Sequence, residues 1–236
     1  QVNEPGDIQK VMEEWGVERL LLKTRHMGYD GKGQRPYYAG ENLVDAMVRL
    51  GDVALIAEEF VSYQSEFSMI IARDRDENIA LYGPIRNQHE RGILRQSEIP
   101  MLMFEEASRA AGEMIKRVAT SVNLRGVLCL EFFFTHDRKI LANEIAPRTH
   151  NSGHWTIEAC EASQFEQHVR TVCGMPVGST TLKLGDTTNA KMTNLIGEEV
   201  KRAKEYEGQE NTFVHLYGKS EARPGRKMGH VTVLSS

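Results

Sequence analysis

Two alternating apolar runs joined by a polar tetrapeptide constrain this chain more than any other stretch. Val127 to Phe134 and Lys139 to Ala146 both carry strand-forming residues, and Thr135-His136-Asp137-Arg138 reads as the turn between them. A hairpin centred between Asp137 and Arg138 pairs Phe132 with Asn143 and Phe134 with Leu141. Leu128, Leu130, Phe132, Phe134, Leu141 and Ile145 then share one apolar face, as a period of two requires. The same register sets Glu131 directly opposite Glu144 on the other face, with about 5 Å between their Cβ atoms. Two carboxylates that close repel unless a cation lies between them. A hard dication bound through oxygen ligands answers this, and Mg²⁺ with a polyphosphate is the commonest such partner. Paired glutamates also occur on solvated sheet faces, and the hairpin alone does not choose.

The segment that follows, Pro147-Arg148-Thr149-His150-Asn151-Ser152-Gly153-His154, concentrates hydrogen-bonding side chains. An arginine fork suits planar carboxylate-like or phosphate anions, and His, Asn and Ser groups orient a polar substrate. His150 and His154 would need a helix to bind one metal, and Pro147 and Gly153 argue against one. Glu131, Asn143-Glu144 and the Pro-Arg-x-His-Asn-Ser-Gly-His-Trp run together resemble the ATP-grasp 5-(carboxyamino)imidazole ribonucleotide synthase family.

That resemblance covers nearly the whole chain. It implies an α+β fold, two ATP-grasp lobes clasping ATP, with a small β-rich C-terminal domain. The corresponding divisions are 1–61, a small lobe with a glycine-rich phosphate loop; 62–175, a large lobe with the metal and substrate site; and 176–236. It also implies ATP-dependent carboxylation of 5-aminoimidazole ribonucleotide by bicarbonate, through carboxyphosphate, in purine biosynthesis. A sibling ligase acting on glycinamide ribonucleotide and a catalytically silent ATP-binding fragment are the alternatives.

Taken in order, Asp7 reads as an N-cap for Ile8, Val11, Met12 and Trp15, with Gly16 as the stop. A strand from Arg19 to Lys23 leads into Gly28-Tyr29-Asp30-Gly31-Lys32-Gly33-Gln34. Three glycines in six residues let backbone approach phosphates, with Lys23 and Lys32 supplying charge; an ordinary hairpin loop is the plain alternative. The resemblance makes this the loop over the ATP phosphates, with Lys23 on a phosphate and Tyr29 and Lys32 near the second substrate. A helix from Glu41 to Leu50 and a strand from Val53 to Val61 follow. By resemblance, Glu58-Glu59-Phe60-Val61 is the adenine hinge and Glu66 binds the ribose, ahead of a strand from Phe67 to Ala72. The returning strand, Ile79 to Ile85, is followed by Asn87 and His89, the latter a nucleotide contact by the same resemblance. The resemblance also makes Asn143 and Glu144 nucleotide contacts.

Phe104 to Val122 is the clearest helix, and its apolar stripe is core. Ser163 and Glu166 read as a capping box for a later helix ended by Gly174 and Pro176. Short strands and turns begin at Val177. Lys219, Arg223, Arg226, Lys227 and His230 cluster late in the chain, and such a run is usually a solvated face. The resemblance assigns Lys219 and Arg226 to the ribonucleotide phosphate and the carboxylate intermediate, and Arg148, His150 and Asn151, with Ser152 beside them, to bicarbonate and its phosphorylated form. Arg148, His150, Asn151 and Lys219 are thus the expected catalytic set.

With 236 residues, 40% of them hydrophobic, the chain can bury a sizeable core. A formal charge of −4 argues against a general nucleic-acid binder. Three cysteines without CxxC spacing fit a reducing compartment, read as the cytoplasm, rather than a disulfide framework. No apolar stretch of about 18 residues suggests a membrane span. The chain begins at Gln1 without a Met, and the resembled family carries a leading domain that contributes to the ribonucleotide site and to a homodimer. A fragment is therefore expected.

Overall fold

The computed structural model describes residues 1–28, 32–101, 103 and 105–235. These fall into two compact units, Gln1–Ser62 with Arg91–Ile93, and Tyr63–Glu90 with Leu94–Ser236.

In the first unit, helix α1 (Pro5–Trp15) starts with proline in its first turn and ends at Gly16, whose φ of 63° suits glycine. Its N-cap is Glu4, not Asp7. Asp7 instead sits one turn in and closes the capping box by accepting from the Glu4 N–H. Trp15 is half-exposed, so the buried stripe is Ile8 and Met12. Strands β1 (Arg19–Thr24), β2 (Gln34–Tyr38) and β3 (Leu55–Glu59) make an antiparallel sheet in the order β2-β1-β3. Helix α2 (Leu43–Val48) is shorter than its periodicity suggests, because Asn42 caps it by accepting from the Asp45 N–H. Leu20, Leu22, Tyr37, Met47 and Leu55 centre the core of this unit.

The second unit is built on eight strands in the order β10-β11-β9-β6-β5-β4-β7-β8. These are β4 (Tyr63–Arg73), β5 (Ile79–Glu90), β6 (Ile93–Ile99), β7 (Gly126–Thr135), β8 (Ile140–Ala146), β9 (Asn189–Ile196), β10 (Thr212–Leu216) and β11 (Lys227–Ser235). The three C-terminal strands thus continue the same sheet. Helix α3 (Glu105–Ser121) covers one face: Ala107, Ala111, Ile115 and Ala119 pack on Phe67, Met69, Ile71, Leu128, Leu130 and Phe132. Phe104, the expected first residue of this helix, lies outside the described residues. The opposite face carries Ile70, Ala72, Cys129, Trp155 and Cys160, with the short helix α4 (Thr156–Ala159) and α5 (Gln164–Val172) nearby. Ser163 caps α5 by accepting from the Glu166 N–H.

The β7–β8 hairpin departs from its expected register in half its length. Cys129, Leu130 and Glu131 pair with Ala146, Ile145 and Glu144 as the spacing demands. Beyond them, Phe132, Phe133 and Phe134 pair with Ala142, Leu141 and Ile140, so one residue, Asn143, is extra on β8. A bulge of this kind reverses the side-chain alternation beyond it. Leu141 therefore leaves the apolar face and is 40% exposed. Ile145 stays on that face but is 49% exposed, because β8 is the edge strand. Asn87 and His89 lie within β5, not in a loop after it.

Candidate active site

Alternation along four adjacent strands, β5, β4, β7 and β8, assembles one polar row on the face away from α3. Ser68 pairs across β4–β7 with Glu131, Glu66 pairs across β4–β5 with Asn87, and Glu131 pairs across β7–β8 with Glu144. Directly opposed residues share a face, so Glu66, Ser68, Asn87, His89, Glu131 and Glu144 all project from the same side. His89 Nδ1 lies 2.6 Å from Glu66 Oε2, which joins two of the residues expected at the nucleotide. Glu144 is exposed on the edge strand, and Asn143 beside it is the bulge residue.

The segment after β8 folds back over this row. Its middle is a single 3-10 turn, Asn151–Gly153, capped by His150. Gly153 permits the tight return, since a Cβ there would meet Ile70 and lie 2.8 Å from the Gln164 side-chain amide. Gln164 holds the His150 backbone at both polar atoms. Its Oε1 accepts from the His150 N–H at 2.9 Å, and its Nε2 donates to the His150 carbonyl at 2.7 Å. The imidazole is held as firmly, with Nε2 2.9 Å from Glu131 Oε1 and Nδ1 2.8 Å from Ser152 Oγ.

Charge in this cluster is strongly biased. Burial alone would keep the His150 ring neutral, but Cys129 and the Glu131 carboxylate outweigh it and hold its pKa above the ordinary imidazole value. Burial likewise opposes a charged Glu131, yet His150, His89 and Lys227 keep its carboxyl below the usual range. His154 is pushed down to about 3 by burial and by the positive groups His150, Lys227 and His215. It packs beside Phe165, Tyr217 and His230. His230 is itself pushed down to about 3, again by burial first.

The other expected residues are placed as follows. Arg148 is exposed and donates to the Thr149 carbonyl at 3.0 Å. The Asn151 amide exchanges hydrogen bonds with Asn194 at 2.6 and 3.0 Å. Ser152 was expected among the substrate contacts, but its side chain is fully buried behind His150. Lys219 donates to the Lys227 carbonyl at 2.6 Å, and Arg226 donates to the Glu221 carbonyl at 3.1 Å. Spacing alone did not single out Ser68 or Gln164, although Glu66-x-Ser68 and Asn87-x-His89 both show the period-two signal that puts them on one face.

Within the first unit, Lys23 Nζ pairs with Glu58 Oε2 at 2.6 Å, so two residues expected at the nucleotide are mutual partners. Gly33 adopts φ 75°, and a Cβ there would lie 2.6 Å from Thr24 Oγ1. Gly28 and Lys32 are exposed next to it, with Gln34 opening β2. Tyr29, Asp30 and Gly31 lie outside the described residues. At the end of β3, Glu59 and Phe60 line a cavity with Arg19 and Tyr38, and the Arg19 guanidinium sits 4.3 Å over the Phe60 ring. Val61 is half-buried just beyond. Among the described residues, no helix is long and apolar enough to cross a membrane.

The chain is similar to known proteins over most of its length. Residues 1–165 match the ATP-grasp domain, and residues 190–236 match the phosphoribosylaminoimidazole carboxylase C-terminal domain. The N5-carboxyaminoimidazole ribonucleotide synthase of Brucella melitensis is 42% identical over 216 residues, covering 91% of this chain and 59% of that protein. The Bacillus subtilis protein of the same name is 40% identical over 234 residues, covering 99% and 60%. The chain thus spans about three fifths of the length of these relatives. An Aspergillus clavatus N5-carboxyaminoimidazole synthase, solved with ADP and 5-aminoimidazole ribonucleotide, superposes with a TM-score of 0.87 at 30% identity, over 99% of this chain and 62% of that one.

Proposed function

The chain belongs to the ATP-grasp proteins of the N5-carboxyaminoimidazole ribonucleotide synthase family, and on that premise we propose that it serves the ATP-dependent carboxylation of 5-aminoimidazole ribonucleotide. The observation that carries the proposal is the row Glu66, His89, Glu131 and Glu144 on one sheet face, with the Arg148-x-His150 segment folded over it.

Bicarbonate is a weak electrophile because hydroxide is a poor leaving group. In the proposed reaction a bicarbonate oxygen takes the γ-phosphoryl group of ATP, releasing ADP and forming carboxyphosphate. The amine of the ribonucleotide then attacks the carboxyl carbon and expels inorganic phosphate, giving the carbamate and one proton. Arg148 suits both anions, since its fork offers two parallel donors. His150 is the natural neighbour, locked at both ring nitrogens and biased towards the protonated form. Asn151 supports the turn that carries them, through Asn194.

Glu131 and Glu144 fit Mg²⁺ by their donor set, two hard carboxylates opposed across a strand pair, with phosphate oxygens able to complete the shell. They would hold the ion there, and it would supply charge neutralisation at the transferring phosphoryl group. Glu66 is assigned to the ribose and His89, its partner at 2.6 Å, to the nucleotide, with Asn143 beside Glu144. In the first unit, Lys23 and the loop from Gly28 to Gln34 are assigned to phosphate, and Glu58 to Val61 to the base. Lys219 and Arg226 are assigned to the ribonucleotide phosphate and the carboxylate intermediate.

The test is phosphate release with bicarbonate, formate or glycine as carboxylate donor, with and without 5-aminoimidazole ribonucleotide. Release that needs both bicarbonate and this ribonucleotide is expected. Release supported by glycine and a different ribonucleotide amine would overturn the assignment.

A further inference from the structure

Behind His150 runs a chain of buried polar groups that the proposed reaction does not use. Ser97 Oγ donates to Asn87 Oδ1 at 2.8 Å, and Asn87 Nδ2 donates to Ser68 Oγ at 3.0 Å. Ser68 Oγ lies 2.8 Å from Ser152 Oγ, which lies 2.8 Å from His150 Nδ1. At the far side of the ring, Nε2 meets Glu131 at 2.9 Å. The four members behind the ring come from β4, β5, β6 and the turn after β8, and all are at most 4% exposed.

We propose that Ser68, Asn87 and Ser152 are positioning residues for His150, a buried hydrogen-bond chain that fixes the plane and edge of the imidazole presented to the reacting anion. The inference rests on the proposed function only for what His150 does, not for how it is held.

The direction follows from donor bookkeeping. The Asn87 amide nitrogen is a donor only, so Ser68 Oγ must accept from it. The Ser68 hydroxyl hydrogen is then left for Ser152, whose oxygen accepts it and closes the chain on the ring at Nδ1, 2.8 Å away. Every member of the chain is buried where a missing partner is costly. Turning the ring over would put carbon atoms where Nδ1 and Nε2 now meet Ser152 and Glu131, and both bonds would be lost. The Gln164 clamp on the His150 backbone removes the other route of adjustment. A group held at every polar atom keeps the geometry that positional catalysis requires.

The experiment is Ser68→Ala, which removes the central link without touching substrate-facing groups. Phosphate release should fall on the order of tenfold in kcat, with KM for ATP unchanged. Independently, the Cε1–Hε1 signal of the His150 ring in a two-dimensional NMR spectrum should move or broaden. Signals of the exposed His26 and His136 should stay in place. An unmoved His150 signal in folded Ser68→Ala protein overturns the proposal, whatever the activity. If that variant does not melt cooperatively, Asn87→Asp decides in its place, since it keeps the shape but removes the N–H that Ser68 accepts. The same ring shift is expected there, and its absence has the same consequence. Should wild-type protein release no phosphate with bicarbonate, the proposed function fails, while the ring signal still decides this inference.

Discussion

Glu131 and Glu144 are direct cross-strand partners, yet among the described residues only Glu131 of the two has an ion-pair partner, the His150 ring at 2.9 Å. Glu144 stands exposed on the edge strand opposite it. Removing the Glu144 charge should therefore cost the fold nothing. Glu144→Gln is expected to leave stability equal or higher by roughly a few tenths of a kcal/mol, because like charges directly opposed across strands repel. ATP turnover should be largely lost. Urea unfolding and a Mg²⁺ titration of phosphate release check the two halves, and wild-type turnover at subsaturating Mg²⁺ would refute the metal assignment.

The Arg148 side chain is exposed and, among the described residues, makes a local bond to the Thr149 carbonyl, which leaves its fork open to the anion proposed for it. Lysine keeps the charge but not the planar fork. Arg148→Lys should lose most bicarbonate-dependent phosphate release while melting within about 1 °C of wild type and retaining nucleotide affinity. Equal losses of nucleotide affinity and turnover would move Arg148 to the nucleotide.

Acid sensitivity should come from the buried histidines. His154 and His230 have folded pKa values of about 3 against 6.5 for a free ring, lowered by burial first and by neighbouring positive groups second. Below pH 6.5 the unfolded chain binds protons that the folded chain refuses, so stability is present above 6.5 and falls as pH drops towards 3. The loss should reach roughly 1–2 kcal/mol per ring by about pH 5. His230→Gln should flatten that decline while keeping the hydrogen bond to Tyr217. A wild-type midpoint in urea that does not move between pH 7 and about pH 5 would contradict the burial of these rings.

Gly153→Ala tests the turn that carries the site. The added methyl would press on Ile70 and on the Gln164 amide that clamps His150. Overpacking of this kind costs about 1–3 kcal/mol, and the same displacement should lower kcat more than it raises KM for ATP. A variant as stable and as active as wild type would show that the turn yields without disturbing Gln164.

Much of the site was legible because it is local. The alternation of Val127 to Phe134 and of Lys139 to Ala146, with four turn residues between them, is enough to place Glu131 opposite Glu144. The Ala-rich stripe of α3 and the Ser163 cap of α5 are equally short-range, and the structure contains both. The bulge at Asn143 was not legible, since nothing in the order of residues says which strand takes the extra one. It decided that Leu141 faces outward.

The sequence by itself determined the strand periodicity, the opposed carboxylates and the polar segment that follows them, because each depends on neighbours a few residues apart. Tertiary structure alone decided how His150 is held. Glu131, Ser152, Ser68, Asn87, Ser97 and Gln164 are separated by up to 96 positions between Ser68 and Gln164, and they meet only through the sheet order and the return of one turn. A buried serine or asparagine looks the same in sequence as an exposed one. What distinguishes them is the cost of an unpaired polar group away from water, and that cost exists only once the strands have paired and excluded it.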